Sequence, residues 1–177
     1  MPHVFKFATV YQLPRAHLTR AVGALVNGWE FTTNTQWCSG FPLTIRSGFD
    51  NSFSGVGRDR ADFLGGPAQL AFDRSHSDMI AQWFDTSKFA ANAPGTFGSS
   101  GKNILSGPRF FNSDIGLLKN TRLTERASFQ FRAEFFNIFN NVNFNNPGTV
   151  VSSTSSFGRI TSAGSPRILQ FGAKVLF

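Results

Sequence analysis

The chain has 177 residues, about the size of one domain, and only 15% of them are charged, against a usual share of about 25%. Its 41% hydrophobic content excludes a disordered chain, and no stretch reaches the roughly 18 continuous apolar residues of a membrane-spanning helix. The net charge is +7, but the basic residues are scattered singly and form no basic run, so we expect no nucleic-acid partner.

Alternation of apolar and polar residues with a period of two is the dominant regular pattern, and no segment shows comparable helical spacing. The clearest example is residues 126–135, where Phe129, Phe131 and Phe135 share one face. In chain order the pattern predicts strands at 3–13, 24–46, 109–121, 125–140 and 166–177. These segments exceed a typical strand of about 5 to 6 residues and reach the roughly 9 to 11 needed to cross a bilayer.

The connections between these predicted strands alternate in length. Residues 14–23 and 122–124 are short turns, whereas 47–108 and 141–165 are long and rich in Gly, Ser, Asn and Pro. A 60-residue irregular loop is unusual in a compact soluble domain, but outer-membrane barrels have short turns on one side and long loops on the other. The predicted fold class is therefore all-β: an antiparallel meander of about five long strands that forms an open piece of a transmembrane β-barrel.

The two faces of the predicted strands suit different surroundings. Rings and aliphatic side chains repeat on one face, which we expect to contact outer-membrane lipid. The opposite face carries charged and amide side chains that suit a water-filled lumen. The predicted lumen-facing residues are Glu30, Gln130, Arg132, Glu134, Gln170 and Lys174.

Residues typical of catalytic or metal sites are sparse. The three histidines, His3, His17 and His76, are too far apart for a ligand motif, and the single Cys38 excludes an internal disulfide and favours a small buried or lipid-side residue. No Gly-x-Ser-x-Gly motif is present. We therefore predict no enzymatic activity, no metal and no cofactor. Residues 58–62 (Arg-Asp-Arg-Ala-Asp) have mixed charges that favour a solvated loop over a calcium site.

Several segments together resemble a known family. The C-terminal part of the chain looks like the end of TonB-dependent outer-membrane receptors, and most closely the Oar-like group with a carboxypeptidase-regulatory domain. The segments that carry this resemblance are 107–114, 119–126, 129–140, 157–160 and 171–177, with weaker likeness at 28–30 and 39–43.

That resemblance implies a 22-stranded barrel with a plug domain, which takes up a scarce nutrient with energy delivered by TonB. Five strands are too few to close a barrel, and the chain has no plug or signal peptide of its own. We therefore expect a fragment of a receptor in the outer membrane of a Gram-negative cell. TonB would act on it only through the missing plug, and we expect that the fragment alone does not transport. The family orientation implies a periplasmic C-terminus, short periplasmic turns and long external loops.

The resemblance also implies a C-terminal signal that the barrel-assembly machinery reads. Its residues are Leu169, Phe171, Ala173, Val175 and Phe177. Two alternatives remain open at this stage. One is a soluble all-β binding module, such as a carbohydrate-binding sandwich with the Phe faces packed inward. The other is a small porin-like assembly of several copies.

Overall fold

The computed structural model describes residues 2–17 and 19–177, with residues 20 and 21 described by their backbone. Its contacts divide the chain into two compact units. The sheet unit comprises residues 3–38, 110–142 and 165–177. The loop unit comprises residues 39–109 and 143–164, together with the N-terminal residue 2.

The sheet unit is a single antiparallel sheet of five long strands whose order in space follows their order in the chain. The strands are β1 (Val4–Gln12), β2 (Trp29–Cys38), β7 (Phe110–Arg122), β8 (Ser128–Phe136) and β9 (Ile168–Leu176). This arrangement confirms the predicted meander. Within the described residues, β1 and β9 are hydrogen-bonded to another strand of the sheet on one side only.

The ends of the sheet differ in the length of the connections that leave them. At the turn end, Gln12 lies opposite Glu30 and Arg122 lies opposite Ser128, so short segments join these strands. At the loop end, Cys38 lies opposite Phe110, and the two long segments begin there. The predicted alternation of short and long connections therefore matches the register of the sheet.

The predicted strand at 24–46 is too long at both ends, because β2 begins only at Trp29 and already ends at Cys38. A short helix, α1 (Arg20–Val26), precedes β2, and the chain then reverses at Gly28, whose φ is +81°. A Cβ atom at Gly28 would overlap the carbonyl oxygen of Asn120, so a glycine is required there. The predicted turn at 14–23 includes the start of α1, and Leu18 within it lies outside the described residues.

The C-terminal end of the predicted strand at 125–140 is also too long, because β8 stops at Phe136. Asn137 follows with a φ of +49°, and its backbone amide donates to Asp114 Oδ1 at 2.9 Å. This left-handed residue and its side-chain acceptor redirect the backbone out of the ladder.

The long connections are not irregular loops, because together they fold into the loop unit. Two small antiparallel pairs lie in it: β3 (Pro42–Leu43) with β6 (Leu105–Ser106), and β4 (Asp62–Phe63) with β5 (Phe89–Ala90). The unit also contains helix α2 (His76–Ala81) and a 3-10 turn (Thr86–Lys88). Helices of six and seven residues are too short to show the periodicity that predicts longer ones.

Apolar side chains form a continuous core inside the loop unit. Phe84 and Ile45 are fully buried, and the ring of Phe84 meets those of Phe89 and Phe157 edge to face at 5.8 and 5.4 Å. The indole Nε1 of Trp83 donates to the Ser106 carbonyl oxygen at 2.8 Å, which satisfies the one polar atom of a nearly buried ring. The loop unit therefore has an apolar core of its own.

Candidate lipid and lumen faces

The register of the sheet collects the apolar positions of all five strands on one side. Residues directly opposite in an antiparallel ladder share a face. One such row runs from Tyr11 through Phe31, Leu117 and Ala133 to Phe171. We call this side the apolar face. Five separately alternating segments thus build one continuous apolar surface.

Large side chains on the apolar face remain open to the surroundings. Phe5, Phe7 and Phe171 are 58, 50 and 64% exposed. Ring contacts within the face are few: Phe171 stacks on Phe131 with centroids 6.4 Å apart and meets Phe135 edge to face at 6.3 Å. An exposed apolar surface of this extent is the mark of an interaction with lipid or with another apolar partner.

The distance between the two tryptophans of β2 fits the thickness of a bilayer. Trp29 and Trp37 stand on the apolar face near opposite ends of the strand, eight residues apart. At about 3.3 Å per residue this is about 26 Å, and a strand tilt of about 40° reduces it to about 20 Å across a membrane. This is about 5 Å less than the roughly 25 Å apolar band that aromatic girdles flank in outer-membrane barrels, so the two rings lie near the edges of such a band.

The structure brings the six predicted lumen residues together on the other side, the polar face. Leu118 of β7 lies opposite Glu30 on one side and opposite Arg132 on the other, so these residues form one row across the sheet. Gln130 lies opposite Lys174, and Glu134 lies opposite Gln170. These positions confirm that the six share a face. That this face lines a lumen stays a prediction.

Hydrogen bonds connect polar side chains along that face. Gln12 Nε2 donates to Glu30 Oε2 at 3.2 Å, which links β1 to β2. Arg132 Nε donates to Gln130 Oε1 at 2.8 Å, and Gln130 Nε2 donates in turn to Asn120 Oδ1 on β7 at 2.9 Å. These side chains are held by one another rather than by a buried core, as suits a surface in contact with water.

The C-terminal residues of the predicted assembly signal lie on the outermost strand. Leu169, Phe171, Ala173 and Val175 occupy the apolar face of β9, and every residue of β9 is exposed. Phe177 follows the strand and is 98% exposed. An exposed apolar strand edge of this kind is competent to pair with another strand.

One basic residue interrupts the apolar face, and the sequence pattern does not reveal its role. Lys119 is the only charged side chain among the described strand residues of that face, and it is 7% exposed. Its Nζ donates to the carbonyl oxygen of Ala24 at 2.7 Å and to that of Asn27, and lies 5.4 Å from the ring centroid of Trp29. The charge is therefore compensated by the C-terminal end of α1 and by an indole ring.

In the loop unit, one of the two acidic residues of the 58–62 segment, Asp59, is buried, so the predicted solvated loop is wrong at this position. Asp59 is 6% exposed and accepts hydrogen bonds from Ser52 Oγ at 2.7 Å, from Ser52 N at 2.7 Å and from Asn92 Nδ2 at 3.1 Å. The hydrogen bonds from Ser52 hold the pKa of the Asp59 carboxyl below its usual value. The mixed charges of residues 58–62 gave no signal for this burial, because the donors Ser52 and Asn92 are uncharged residues outside that segment.

Other site types find no support among the described residues. No group of three or more His, Cys, Asp and Glu side chains is placed to hold a metal ion there. No helix in that part of the chain has the length and apolar character needed to cross a membrane. Cys38 is a free, buried thiol at the end of β2, as the sequence predicted.

A single sheet with one apolar and one polar face, and with long connections at one end only, defines a barrel-wall type of β protein. Comparison with known families agrees. The family model described as outer membrane beta barrel domain matches residues 1–170, and the chain belongs to that family. No curated protein and no solved structure matches the chain.

Proposed function

We propose that the chain is part of the barrel wall of a TonB-dependent outer-membrane transporter of the Oar-like group, which takes up a nutrient. The observation that carries this proposal is the register that unites five apolar strand faces on one side and six polar candidates on the other. Apolar side chains then contact lipid, and the polar face lines the lumen. The role is structural and transport-related rather than enzymatic.

The number of strands supports a partner that differs from this chain. With five antiparallel strands, β1 and β9 run in the same direction. A second copy in the same membrane orientation would therefore pair its β1 with this β9 in parallel, whereas bacterial barrels are antiparallel and have an even strand number. An odd number of strands from the rest of a receptor completes such a barrel, and a porin-like ring of identical copies does not.

The open edges make the completing strands necessary in lipid. Each unpaired backbone amide or carbonyl costs several kcal/mol in hydrocarbon, so β1 and β9 need neighbours on their free sides. We propose that the remaining barrel supplies them, that the plug fills the lumen, and that TonB acts only through the plug. The fragment by itself does not transport.

Orientation follows from the same proposal. The turn end of the sheet is periplasmic and its loop end faces the cell exterior. The barrel-assembly machinery reads the C-terminal strand, with Leu169, Phe171, Ala173, Val175 and Phe177 as the signal.

Extraction from membranes tests the proposal against the soluble alternative. When the chain is produced with an export signal in a Gram-negative host, we expect it in the outer-membrane fraction and soluble only in detergent. A folded monomer in buffer would favour the carbohydrate-binding sandwich. The structure gives one reason to prefer the barrel: all five long strands belong to one sheet, whereas a sandwich divides its strands between two.

The transporter part of the proposal has its own test. In the gene, an open reading frame that continues upstream of Met1 into further strands and a plug is expected. A receptor containing these strands should lose uptake when TonB is deleted, while its amount in the outer membrane stays unchanged. Uptake that persists without TonB would leave a barrel but exclude this class of transporter.

The assembly signal is tested by Phe177→Ser in the complete receptor. Since Phe177 ends an exposed apolar strand, we expect the substitution to lower the amount of inserted, surface-displayed receptor. The matched control is Lys174→Ser on the polar face of the same strand. Equal insertion of the Phe177→Ser variant and the unaltered receptor would contradict the assignment.

A further inference from the structure

The short helix α1 is attached to the apolar face of the sheet by polar contacts rather than by a buried core. Lys119 Nζ donates to the carbonyl oxygens of Ala24 and Asn27 at the C-terminal end of α1. The indole Nε1 of Trp29 donates to the Leu25 carbonyl oxygen at 2.9 Å. Both anchoring residues belong to the apolar face, so the end of α1 lies on the side of the sheet that contacts lipid.

These contacts explain why a lysine is tolerated on that face. A charged group left alone in hydrocarbon is costly, and residues of this kind pair with backbone carbonyls or reach the membrane surface. The carbonyl oxygens at a helix C-terminus carry partial negative charge, and the Trp29 ring adds a cation–π contact. Lys119 and α1 therefore require each other at the turn end of the sheet.

Apolar side chains of α1 are exposed to a large extent. Val22, Leu25 and Val26 are 47, 73 and 46% exposed, and Leu13 just before the helix is 39% exposed. A seven-residue helix does not form stably in water by itself, and exposing these side chains to water adds a further cost. The C-terminal end of α1 is joined to the apolar face through the hydrogen bond from Trp29 Nε1 to the Leu25 carbonyl oxygen.

Trp29 and Lys119 lie at the turn end of the sheet and bind the C-terminal end of α1. Indole rings and lysine ammonium groups are typical of the boundary between headgroups and acyl chains, so this end of the apolar face suits the surface of a phospholipid leaflet.

We propose that α1 is an interfacial helix that lies in the phospholipid leaflet at the turn end, with Val22, Leu25 and Val26 at the boundary between headgroups and acyl chains. Amphipathic segments of this type bury an apolar side to a depth of about 5 to 10 Å. Lys119 holds the helix to the barrel wall at this depth, and Trp29 occupies the aromatic girdle. The inference rests on the proposed membrane location of the sheet.

Depth-dependent quenching tests the position of the helix. In a Cys38→Ala background, Leu25→Cys is labelled with an environment-sensitive fluorophore, and the complete receptor that contains this chain is reconstituted in vesicles of zwitterionic and anionic phospholipid. We expect a blue-shifted emission that nitroxide lipids labelled near the headgroup quench more strongly than those labelled deep in the acyl chain. Phe171→Cys on the apolar face and Val56→Cys in the loop unit serve as reference sites.

The reference sites separate the two levels of the proposal. If the Phe171 label is quenched by lipid but the Leu25 label is open to aqueous iodide, the interfacial helix is wrong and the membrane location stands. Deep nitroxides that quench Leu25 most strongly would also overturn the interfacial depth. If the Phe171 label is itself open to iodide, the proposed membrane location fails, and the interfacial helix fails with it.

A second variant tests the role of Lys119 as the attachment point. Lys119→Met keeps the strand apolar and long but removes the cation that binds the carbonyl oxygens of α1. We expect the Leu25 label to lose its preferential shallow quenching, whereas Phe171 stays quenched by lipid. Lys174→Met, on the polar face, is the matched control and should leave both labels unchanged. Unaltered Leu25 quenching in Lys119→Met would overturn the attachment.

Discussion

The two units of this chain bury apolar side chains in opposite ways. In the loop unit, Phe84 and Ile45 are fully buried among neighbours of the same unit, whereas in the sheet unit Phe5, Phe7 and Phe171 are half or more exposed. The loop unit thus carries its own core. The sheet presents an apolar face whose large side chains are not covered by a core of the same unit, as the proposed contact with lipid requires.

The largest expected effect comes from emptying the core of the loop unit. Phe84→Ala removes a fully buried ring that contacts Phe89 and Phe157, and a change of this kind costs about 3 to 5 kcal/mol. Urea unfolding followed by the emission of Trp83, in a Trp29→Phe/Trp37→Phe background, measures the loss. Phe97→Ala, at a ring that is 74% exposed, is the control and should change stability by no more than about 0.5 kcal/mol.

A charge on the apolar face is the corresponding test for the sheet unit. Phe171→Arg places a guanidinium near the middle of β9, where lipid contact makes it unfavourable by about 2 to 4 kcal/mol. Flotation with phospholipid vesicles should show a smaller membrane-bound fraction. The neighbouring Gln170→Arg on the polar face should float like the unaltered chain, and equal losses for both variants would contradict the assignment of the faces.

A smaller effect is expected at the start of α2. Ser75 Oγ accepts a hydrogen bond from the backbone N–H of Asp78 at 3.2 Å and caps the helix. Ser75→Ala should lower the free energy of unfolding of the loop unit by about 1 kcal/mol, measured through Trp83 as above. Ser155→Ala, in an exposed turn, is the matched control, and a loss of the same size there would argue against a capping role.

The smallest expected effect is a pH dependence confined to the loop unit. Hydrogen bonds from Ser52 and from Ser87 lower the pKa values of Asp59 and Asp85, respectively, in the folded state. Their stabilising contribution is therefore present above the unfolded-state pKa of about 3.9 and is lost as the pH falls through the lower folded-state values. The urea midpoint reported by Trp83 should drop between pH 5 and strongly acidic conditions.

The variant Asp59→Asn/Asp85→Asn removes both titrating groups and provides the control for that pH dependence. Its urea midpoint should vary less with pH over the same range, because fewer protons distinguish its folded and unfolded states. A midpoint that falls as steeply as in the unaltered chain would assign the acid sensitivity to other groups.

The alternating pattern alone was enough to predict which strand residues share a face. Alternation over Phe129, Phe131 and Phe135 repeats in the other long strands, and period two is a local property of an extended backbone. It also predicted five long strands, the short and long connections and the six residues of the polar face. Strand ends were less well predicted. Gly28 and Asn137 mark the start of β2 and the end of β8 through positive φ angles and contacts with β7, and these contacts are not visible in the alternating pattern.

The fold of the long connections and the contacts that compensate the charge of Lys119 depend on segments that are distant in sequence and could not be predicted from local patterns. The loop core joins residues as far apart in sequence as Leu43 and Ile160, and no local period marks such a set. The hydrogen bonds of Lys119 reach residues more than 90 positions earlier in the chain. Long-range packing and pairing of this kind depend on which segments meet in space, whereas an alternating pattern depends only on neighbours along the chain.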